Sequence, residues 1–509
     1  MKLALSPLIS EIDRFANEEL GIPTSELIKR SGRAVADAVR ELAKGRSELV
    51  ILAGKGNNGA DGYAAALELM GEYKTVVFDV FSEGQKSADG KALVDEYQSR
   101  GGELVSLTLS PEQKERIKRA GCIVDAVFGT GFKGEMPTLA RELSTTVSEA
   151  LCAVKIAVDV PLGIGADDGL VDDYAAFMNA TVQLSYVKPG IVSYPAKAYA
   201  GKIIYDTLGL PTQKINDRFE FKYQLIDREF AISSLPRREE NSSKGTFGKT
   251  LLVTGSETYR GAGRLTLEAA LRGGAGYVRF CAVGSIVDEY SAQYPEAIYT
   301  KVDLENKDGI EAVSALSQSH NSTLVGSGSG NTDGIVNLTR ALLLGEGGTL
   351  VLDADAINAL SSMPDALSLI KNARRPVILT PHPLEFARLT GNSVATVQKK
   401  RLAVAVRFAS ENKCILVLKG AGTIVTDGCE VLINSSGSSA LAKAGSGDVL
   451  AGFIASLAAQ NISPLTAAAL GVYFHGAAAD ELAREYSTYG VTPSDLPKQI
   501  AREIAKIEK

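Results

Sequence analysis

The chain has 509 residues, 45% of them hydrophobic and 22% charged, with a formal net charge of −6. That length and balance predict two to three domains with ordinary cores, and the acidity excludes a general nucleic-acid binder, which needs a concentrated basic surface. No run approaches the ~20 apolar residues of a transmembrane helix, so the expectation is a cytoplasmic, homo-oligomeric enzyme acting on small molecules, without membrane or nucleic-acid partners.

The segment Met1–Asn17 does not read as a signal peptide, because Pro7 interrupts its apolar run and Glu11, Asp13 and Arg14 follow at once. Up to about residue 210, short apolar runs alternate with helical patterns. Strands are predicted at Leu49–Ala53, Thr75–Phe81, Cys122–Val127, Lys155–Val160, Thr181–Ser185 and Lys202–Thr207. Helices are predicted at Ala60–Glu72, Lys91–Arg100 and Thr138–Ala150. Several strands are continuously apolar, as parallel strands covered on both faces should be. Strand–helix alternation implies right-handed crossovers and a doubly wound, Rossmann-like α/β sheet.

The first strand runs into Gly54-Lys55-Gly56-Asn57-Asn58-Gly59, which satisfies G-x-G-x-x-G, and Asp79 lies 20 residues beyond Gly59. On pattern alone this is a dinucleotide fingerprint and supports a dehydrogenase reading. However, Asn57, Asn58 and Asp61 put polar side chains on a loop where a phosphate turn needs only backbone. They could coordinate a hard cation or hydrogen-bond a sugar and phosphate; the plainer reading is an Asx-rich turn capping a helix. Asp125 closes a later strand before the turn Phe128-Gly129-Thr130-Gly131, and Asp159 closes the next in Val158-Asp159-Val160-Pro161. Such groups converge on the rim where open α/β sheets bind ligands.

The charged stretch from Pro211 to Asn241 breaks the rhythm. A linker is predicted near residues 211–225, dividing the chain into domains at 1–215 and 225–509. A second α/β series follows, with strands at Thr250–Thr254, Tyr277–Ala282, Ser322–Val325, Thr349–Asp353, Val377–Thr380, Ile415–Lys419 and Gly422–Thr426, and a long helical tail from Gly447. The five cysteines are scattered without a CxxC pair, which predicts buried reduced thiols and no zinc site.

Ala444-Gly445-Ser446-Gly447-Asp448 precedes an apolar helix. Its glycines free the first N–H groups for an anion, and the helix dipole assists. Asp448 is then placed to take a proton from a hydroxyl undergoing phosphorylation; its structural alternative is to stabilise the helix N-terminus. Lys419-Gly420-Ala421-Gly422-Thr423 ends a strand in a lysine and a small-residue turn suited to a nucleotide. His382 sits in a proline-flanked loop after a strand, and Asp353 and Asp355 mark a further acidic strand end. Of the other histidines, His475 is expected to be packed and His320 to lie on the surface.

These motifs carry a resemblance on both sides of the linker. Glu11-Ile12-Asp13, Leu20-Gly21-Ile22-Pro23, the Asn57–Asp61 loop, Asp125, Asp159-Val160-Pro161 and Lys188-Pro189-Gly190 resemble the YjeF N-terminal family of NAD(P)H-hydrate epimerases. The resemblance implies that Asn57, Asn58, Gly59, Ala60 and Asp61, with Gly129, Thr130, Gly131, Phe132, Lys133 and Gly134, cradle the hydrated nucleotide. It implies that Asn58 and Asp125 hold a potassium ion and that Asp159 acts at the reacting carbon. The chain departs from the pattern at Ala60, usually glycine, and at Leu162, where a hydroxyl ligand is usual.

The second half resembles the YjeF C-terminal family, ADP- or ATP-dependent NAD(P)H-hydrate dehydratases of ribokinase-like fold. Besides the Asp448 motif, Lys244-Gly245, Phe247-Gly248, Gly255-Ser256, Tyr259-x-Gly261-Ala262 and Gly273-Gly274-Ala275-Gly276 carry it; Ser243 and Gly326-Ser327-Gly328-Ser329-Gly330 vary its pattern. It implies that Ala262, Gly328, His382 and Asp448 face the hydrate. Lys419, Gly420, Ala421, Gly422, Thr423, Ser438, Gly445, Ser446 and Gly447 would face the nucleotide, with Mg²⁺, and Asp448 would be the base. The alternative is a ribokinase-like small-molecule kinase with a non-catalytic N-terminal nucleotide-binding domain.

Overall fold

The computed structural model describes residues 1–81, 86–132 and 134–508. The chain divides into two compact units, Lys2–Tyr223 and Gln224–Lys509, with Met1 counted in the second. The stretch expected as a linker at 211–225 is structured: it holds helix Thr212–Arg218, and strand Tyr223–Ile226 begins in it. Ile215 is that helix's one buried residue. A seven-residue helix with one apolar anchor leaves little periodicity to read.

The first unit is built on strands β1 (Glu48–Ala53), β2 (Lys74–Asp79), β3 (Glu103–Ser106), β4 (Cys122–Ala126), β5 (Val154–Val158), β6 (Ala180–Leu184) and β7 (Lys202–Asp206). They run in the order β3-β2-β1-β4-β5-β6-β7, all parallel. The period-two alternation of side chains splits β1 between two cores: Leu49, Ile51 and Ala53 join one apolar cluster, Val50 and Leu52 the other. Both faces are therefore covered. The strand order reverses between β1 and β4, the topological switch point at which open sheets bind ligands. Glycines bring the backbone close there: a Cβ at Gly54 would lie 2.0 Å from the Val127 carbonyl oxygen, and one at Gly59 would lie 1.9 Å from that of Gly54.

The second unit contains β8 (Lys249–Val253), β9 (Tyr277–Ala282), β10 (Ile298–Lys301), β11 (Ser322–Val325), β12 (Thr349–Leu352), β13 (Val377–Leu379), β14 (Ile415–Leu418), β15 (Ile424–Thr426) and β16 (Val431–Asn434). Their order is β16-β15-β14-β13-β12-β11-β8-β9-β10. Strands β8 to β14 are parallel, and β15 and β16 are added antiparallel. Helix Ser446–Ala458 is buried along nearly its whole length, as an all-round apolar helix must be. Gly452 lets it approach helix Arg260–Arg272, since a Cβ there would meet the Thr266 backbone oxygen at 2.3 Å.

All five cysteines are free thiols, but only Cys122, Cys281 and Cys414 are buried; Cys152 and Cys429 are exposed. Both exposed residues lie in connections rather than in strands, which corrects the expectation of uniform burial. Among the described residues no helix is long and apolar enough to cross a membrane.

Candidate functional sites

In the first unit, helix Asn57–Leu69 starts directly after the β1 loop, with Gly56 at its N-cap. Asn57 is exposed at its first position, whereas Asn58 is 7% exposed. The Asn58 Nδ2 donates to the Phe128 carbonyl at 2.7 Å, tying this turn to the one after β4. Its Oδ1 is buried and has no hydrogen-bond partner among the described residues. Asp125 accepts backbone N–H bonds from Leu162 at 2.7 Å and Val127 at 3.2 Å. Burial nevertheless pushes its carboxyl up to about 6, with those two bonds opposing. The Leu162 side chain is buried in an apolar cluster with Met136 and Ala176, so this residue contributes its N–H.

Asp159 ends β5 in the left-handed region, at φ 61°. Its Oδ1 pairs with the Nζ of Lys188, which is 1% exposed. Asp61 and half-buried Asp13 face the same group of charges. Burial raises the Asp13 carboxyl to about 6, with Lys188 opposing and Asp159 adding. Ala60 is buried in the core and has only its backbone to offer a ligand. In the following turn, Phe132 stacks on Phe128 with centroids 4.6 Å apart, and Phe128 stacks on Phe81 at 5.8 Å. Gly129 packs on Asn58, whose Cβ would be 3.2 Å from a Cβ there. Thr130 is half-buried, Gly131 and Gly134 are exposed, and Lys133 lies outside the described residues.

The acidic residue of the dinucleotide pattern is already engaged. Both Asp79 oxygens accept from Lys86 Nζ, at 2.8 and 2.9 Å, so Asp79 does not stand open to a ribose diol.

In the second unit, Asp448 occupies the third position of helix Ser446–Ala458, whose N-cap Gly445 has φ 97°. Lys419 leaves the end of β14, and its Nζ lies 2.9 Å from Asp353 Oδ1. That Nζ would sit 3.4 Å from a Cβ on Gly447, so the lysine lies against the helix N-terminus. Asp353 is 1% exposed and also accepts from Ser327 at 2.8 Å and Thr380 at 2.7 Å. Asp355 accepts the Gly330 N–H at 2.8 Å; between the two acids Ala354 is held at φ 44°. Burial, reinforced by Asp353 and opposed by Lys419, raises the Asp448 carboxyl to about 7. Burial pulls Lys419 down, but Asp353, Glu385 and Asp448 outweigh it, so its ammonium is held above the usual range.

Ser446 is buried, and its Oγ is 3.3 Å from His475 Nε2. Burial lowers His475 to about 4, so it is a neutral, packed ring, as expected. His382 caps helix Pro383–Thr390: its Nδ1 accepts from Leu384 and Glu385 N–H at 3.1 and 3.2 Å. Its ring is 47% exposed, with Nε2 3.2 Å from Glu385 Oε1. His320 is not a surface residue: it is 7% exposed, with Nδ1 2.6 Å from the Leu316 carbonyl. It satisfies a helix end, a role that a polar tripeptide such as Ser319-His320-Asn321 does not announce.

Gly328, at φ 62°, packs on Ala262, whose Cβ would be 2.4 Å from a Cβ there. Beside them a cavity of about 310 Å³ opens at the ends of β8 and β9, lined by Gly255, Ser256, Tyr259, Val283, Asp303 and Ser329 among others. In the nucleotide turn, Thr423 donates to the Gly420 carbonyl at 2.9 Å, Gly422 has φ 58°, and Ala421 is exposed. Behind it, buried Arg401 donates to the Leu418 and Lys419 carbonyls at 3.1 and 3.3 Å. Ser438 is exposed at the start of the short helix Ser439–Leu441. Sequence reasoning did not single out Lys86 or Arg401. Each is a lone polar residue whose partner lies elsewhere in the chain, or in the backbone behind it.

A family model described as NAD(P)H-hydrate dehydratase matches residues 250–502, and one described as YjeF-related protein N-terminus matches residues 24–190. A bifunctional NAD(P)H-hydrate repair enzyme of Moorella thermoacetica is 34% identical over 97% of this chain and 95% of its own. That of Escherichia coli is 31% identical over 96% of this chain and 91% of its own. An ADP/ATP-dependent NAD(P)H-hydrate dehydratase of Bacillus subtilis, co-crystallised with ATP and Mg²⁺, is 30% identical, with a TM-score of 0.50 over 56% of this chain and 98% of its own. A ribokinase-like protein of Enterococcus faecalis, 24% identical, shares the fold of the second unit at a TM-score of 0.50 over 57% of this chain and 98% of its own.

Proposed function

The chain belongs to the bifunctional NAD(P)H-hydrate repair enzymes, and from that premise we propose that it restores damaged NADH and NADPH by two successive reactions. The N-terminal unit interconverts the R and S hydrates. The C-terminal unit dehydrates the S form with a nucleoside phosphate. The observation that carries this reading is that relatives of this name align with both units, over almost the entire chain.

In the dehydratase, the hydrate carries its hydroxyl on C6 of the dihydronicotinamide ring. Asp448 takes the hydroxyl proton as the oxygen attacks the terminal phosphoryl group of ADP or ATP. The N–H groups at Gly445–Gly447 and the Lys419 ammonium receive the transferring charge. Phosphate then leaves from C6 as the ring nitrogen's lone pair moves in, and loss of the C5 proton restores the double bond. Asp353 positions Lys419 through their ion pair. Ala262, Gly328 and His382 face the hydrate; Lys419–Thr423 and Ser438 face the nucleotide. When bound, Mg²⁺ would supply charge neutralisation at the phosphates. Such an ion would be carried mainly by phosphate oxygens and water. Asp355 is the carboxylate suited to share it.

In the epimerase, Asn57–Asp61 and the Gly129–Gly134 turn cradle the hydrate, with Asp159 at the reacting carbon. The unmet Oδ1 of Asn58 and the buried Asp125 suit a potassium ion, which takes several oxygens. Leu162 supplies no hydroxyl to that set.

The test is recovery of dihydronicotinamide absorbance from a mixture of R and S hydrated NADH with ADP or ATP and Mg²⁺. Complete recovery is expected, and none with either nucleotide overturns the reading. A kinase acting from the same fold would release a phosphoester and return no absorbance.

A further inference from the structure

Three carboxylates and one lysine meet beside the β1 loop. Asp61, 8% exposed, lies one turn beyond Asn58 on helix Asn57–Leu69. Asp159, also 8% exposed, closes β5, and Asp13 comes from helix Ser6–Glu18. Lys188 donates its Nζ to Asp159 and, at 2.8 Å, to the Leu184 carbonyl. Ser31 is the hydroxyl beside Asp61. Asn58, at i and i+3 with Asp61 and so on the same helix face, carries the buried Oδ1 that no described residue satisfies. That unmet acceptor, suited above to potassium, places the ligand-binding rim one turn from Asp61.

We propose that Asp61 is the general acid of epimerisation, protonating the C6 hydroxyl so that it departs as water, while Asp159 and Asp13 stabilise the ring cation left behind. This rests on the epimerase reading above. The Asp61 proton passes to the hydroxyl oxygen, and the C6–O bond breaks with its electron pair leaving on water. The N1 lone pair forms the C6–N1 double bond of an iminium ion. Water then adds to the opposite face, the new C6–O bond forms, and the surplus proton returns to the Asp61 carboxylate. Nothing is oxidised or reduced.

Charge selects Asp61 for the role. With Asp61 protonated, the two remaining carboxylates and Lys188 leave one net negative charge; proton transfer to the hydroxyl adds a second, which the singly charged iminium ion offsets, so the net charge of the site does not change. With Asp61 ionised, a second uncompensated charge would stand in a nearly closed site, which desolvation opposes. Burial, reinforced by Asp159 and Asp13 and opposed by Ser31 and Lys188, holds the Asp61 carboxyl well above the usual range. Asp159 is poorly placed as the donor, because its Oδ1 is already engaged by the buried Lys188 Nζ.

The experiment follows R-to-S conversion by chiral separation in the full-length protein, in H₂¹⁸O, against an enzyme-free control. In Asp61→Asn, kcat for epimerisation is expected to fall by about 100-fold or more, with KM for the R hydrate within about threefold. In the unsubstituted protein, kcat/KM should decline as pH rises and Asp61 loses its proton, and ¹⁸O should enter the C6 hydroxyl in step with inversion. Epimerisation at an undiminished rate in Asp61→Asn, or inversion without ¹⁸O uptake, overturns the proposal. The pH and isotope measurements need no variant, so they decide even where Asp61→Asn does not fold. Absence of epimerisation in the unsubstituted protein overturns the underlying reading instead.

Discussion

Asp448, the base of the proposed dehydration, illustrates how such a role would oppose the stability of its own fold. Burial raises its folded carboxyl from the ordinary carboxylate range to about 7, so the folded state binds the proton more tightly than the unfolded chain. Stability from this group is greatest below the unfolded value and is lost as pH rises towards the folded one. The shift corresponds to roughly 2–4 kcal/mol. Asp448→Asn should therefore lower dehydration by about 10²–10⁴-fold while raising the unfolding free energy of the C-terminal unit at pH 8 by about 1–3 kcal/mol. Denaturant titrations at pH 8 and pH 4 check this, since the gain should nearly vanish at the lower pH. A base must be ionised to act, so kcat/KM for dehydration should rise with pH through about 7 in the unsubstituted protein. Residues of this kind were legible where a motif announced them, as at Asp448 and Asp159. The mutual placement of Asp13, Asp61 and Lys188 was not, because it joins positions up to 175 apart in the chain through the crossovers of the sheet.

At the scale of elements, legibility followed burial. The continuously apolar parallel strands were located to within a residue or two, because burial on both faces leaves an unbroken hydrophobic run. Strands β3 and β10, each at one edge of its sheet, were missed; neither has a fully buried residue, so the hydrophobic pattern is weak there. Strand β16 was missed despite a signal, since Asp427-Gly428 marks the hairpin turn that joins it to β15. The β1 loop shows where glycine is required for contact rather than for torsion. Gly59→Ala would drive a Cβ to 1.9 Å from the Gly54 carbonyl oxygen, whereas Gly131 has open space around it. Gly59→Ala is expected to destabilise the N-terminal unit by about 3 kcal/mol or more and Gly131→Ala by under about 0.5 kcal/mol. Urea unfolding followed by a probe in that unit separates the two. At the neighbouring turn, Leu162→Ser should cost about 2–4 kcal/mol, because the side chain fills an apolar cluster. Thermal shift in K⁺ against Na⁺ then reports whether the new hydroxyl reaches the proposed potassium ion.

For the whole molecule, the two units have separate cores, and the intermediate that links the two proposed reactions is a small diffusible hydrate. The activities should therefore be separable by single substitutions and recoverable by mixing. Asp159→Asn, which removes the carboxylate proposed to face the reacting carbon, should leave a rapid phase of absorbance recovery equal to the S fraction of the mixture, followed by a phase no faster than spontaneous epimerisation. Asp448→Asn should return almost no absorbance while R and S hydrates still interconvert. Combined in one cuvette, the two variants should recover the whole mixture, at a rate that scales with the concentration of each. If recovery instead stops at the S fraction at every concentration, the hydrate does not pass between chains through solution, and both working sites must act on it within one chain.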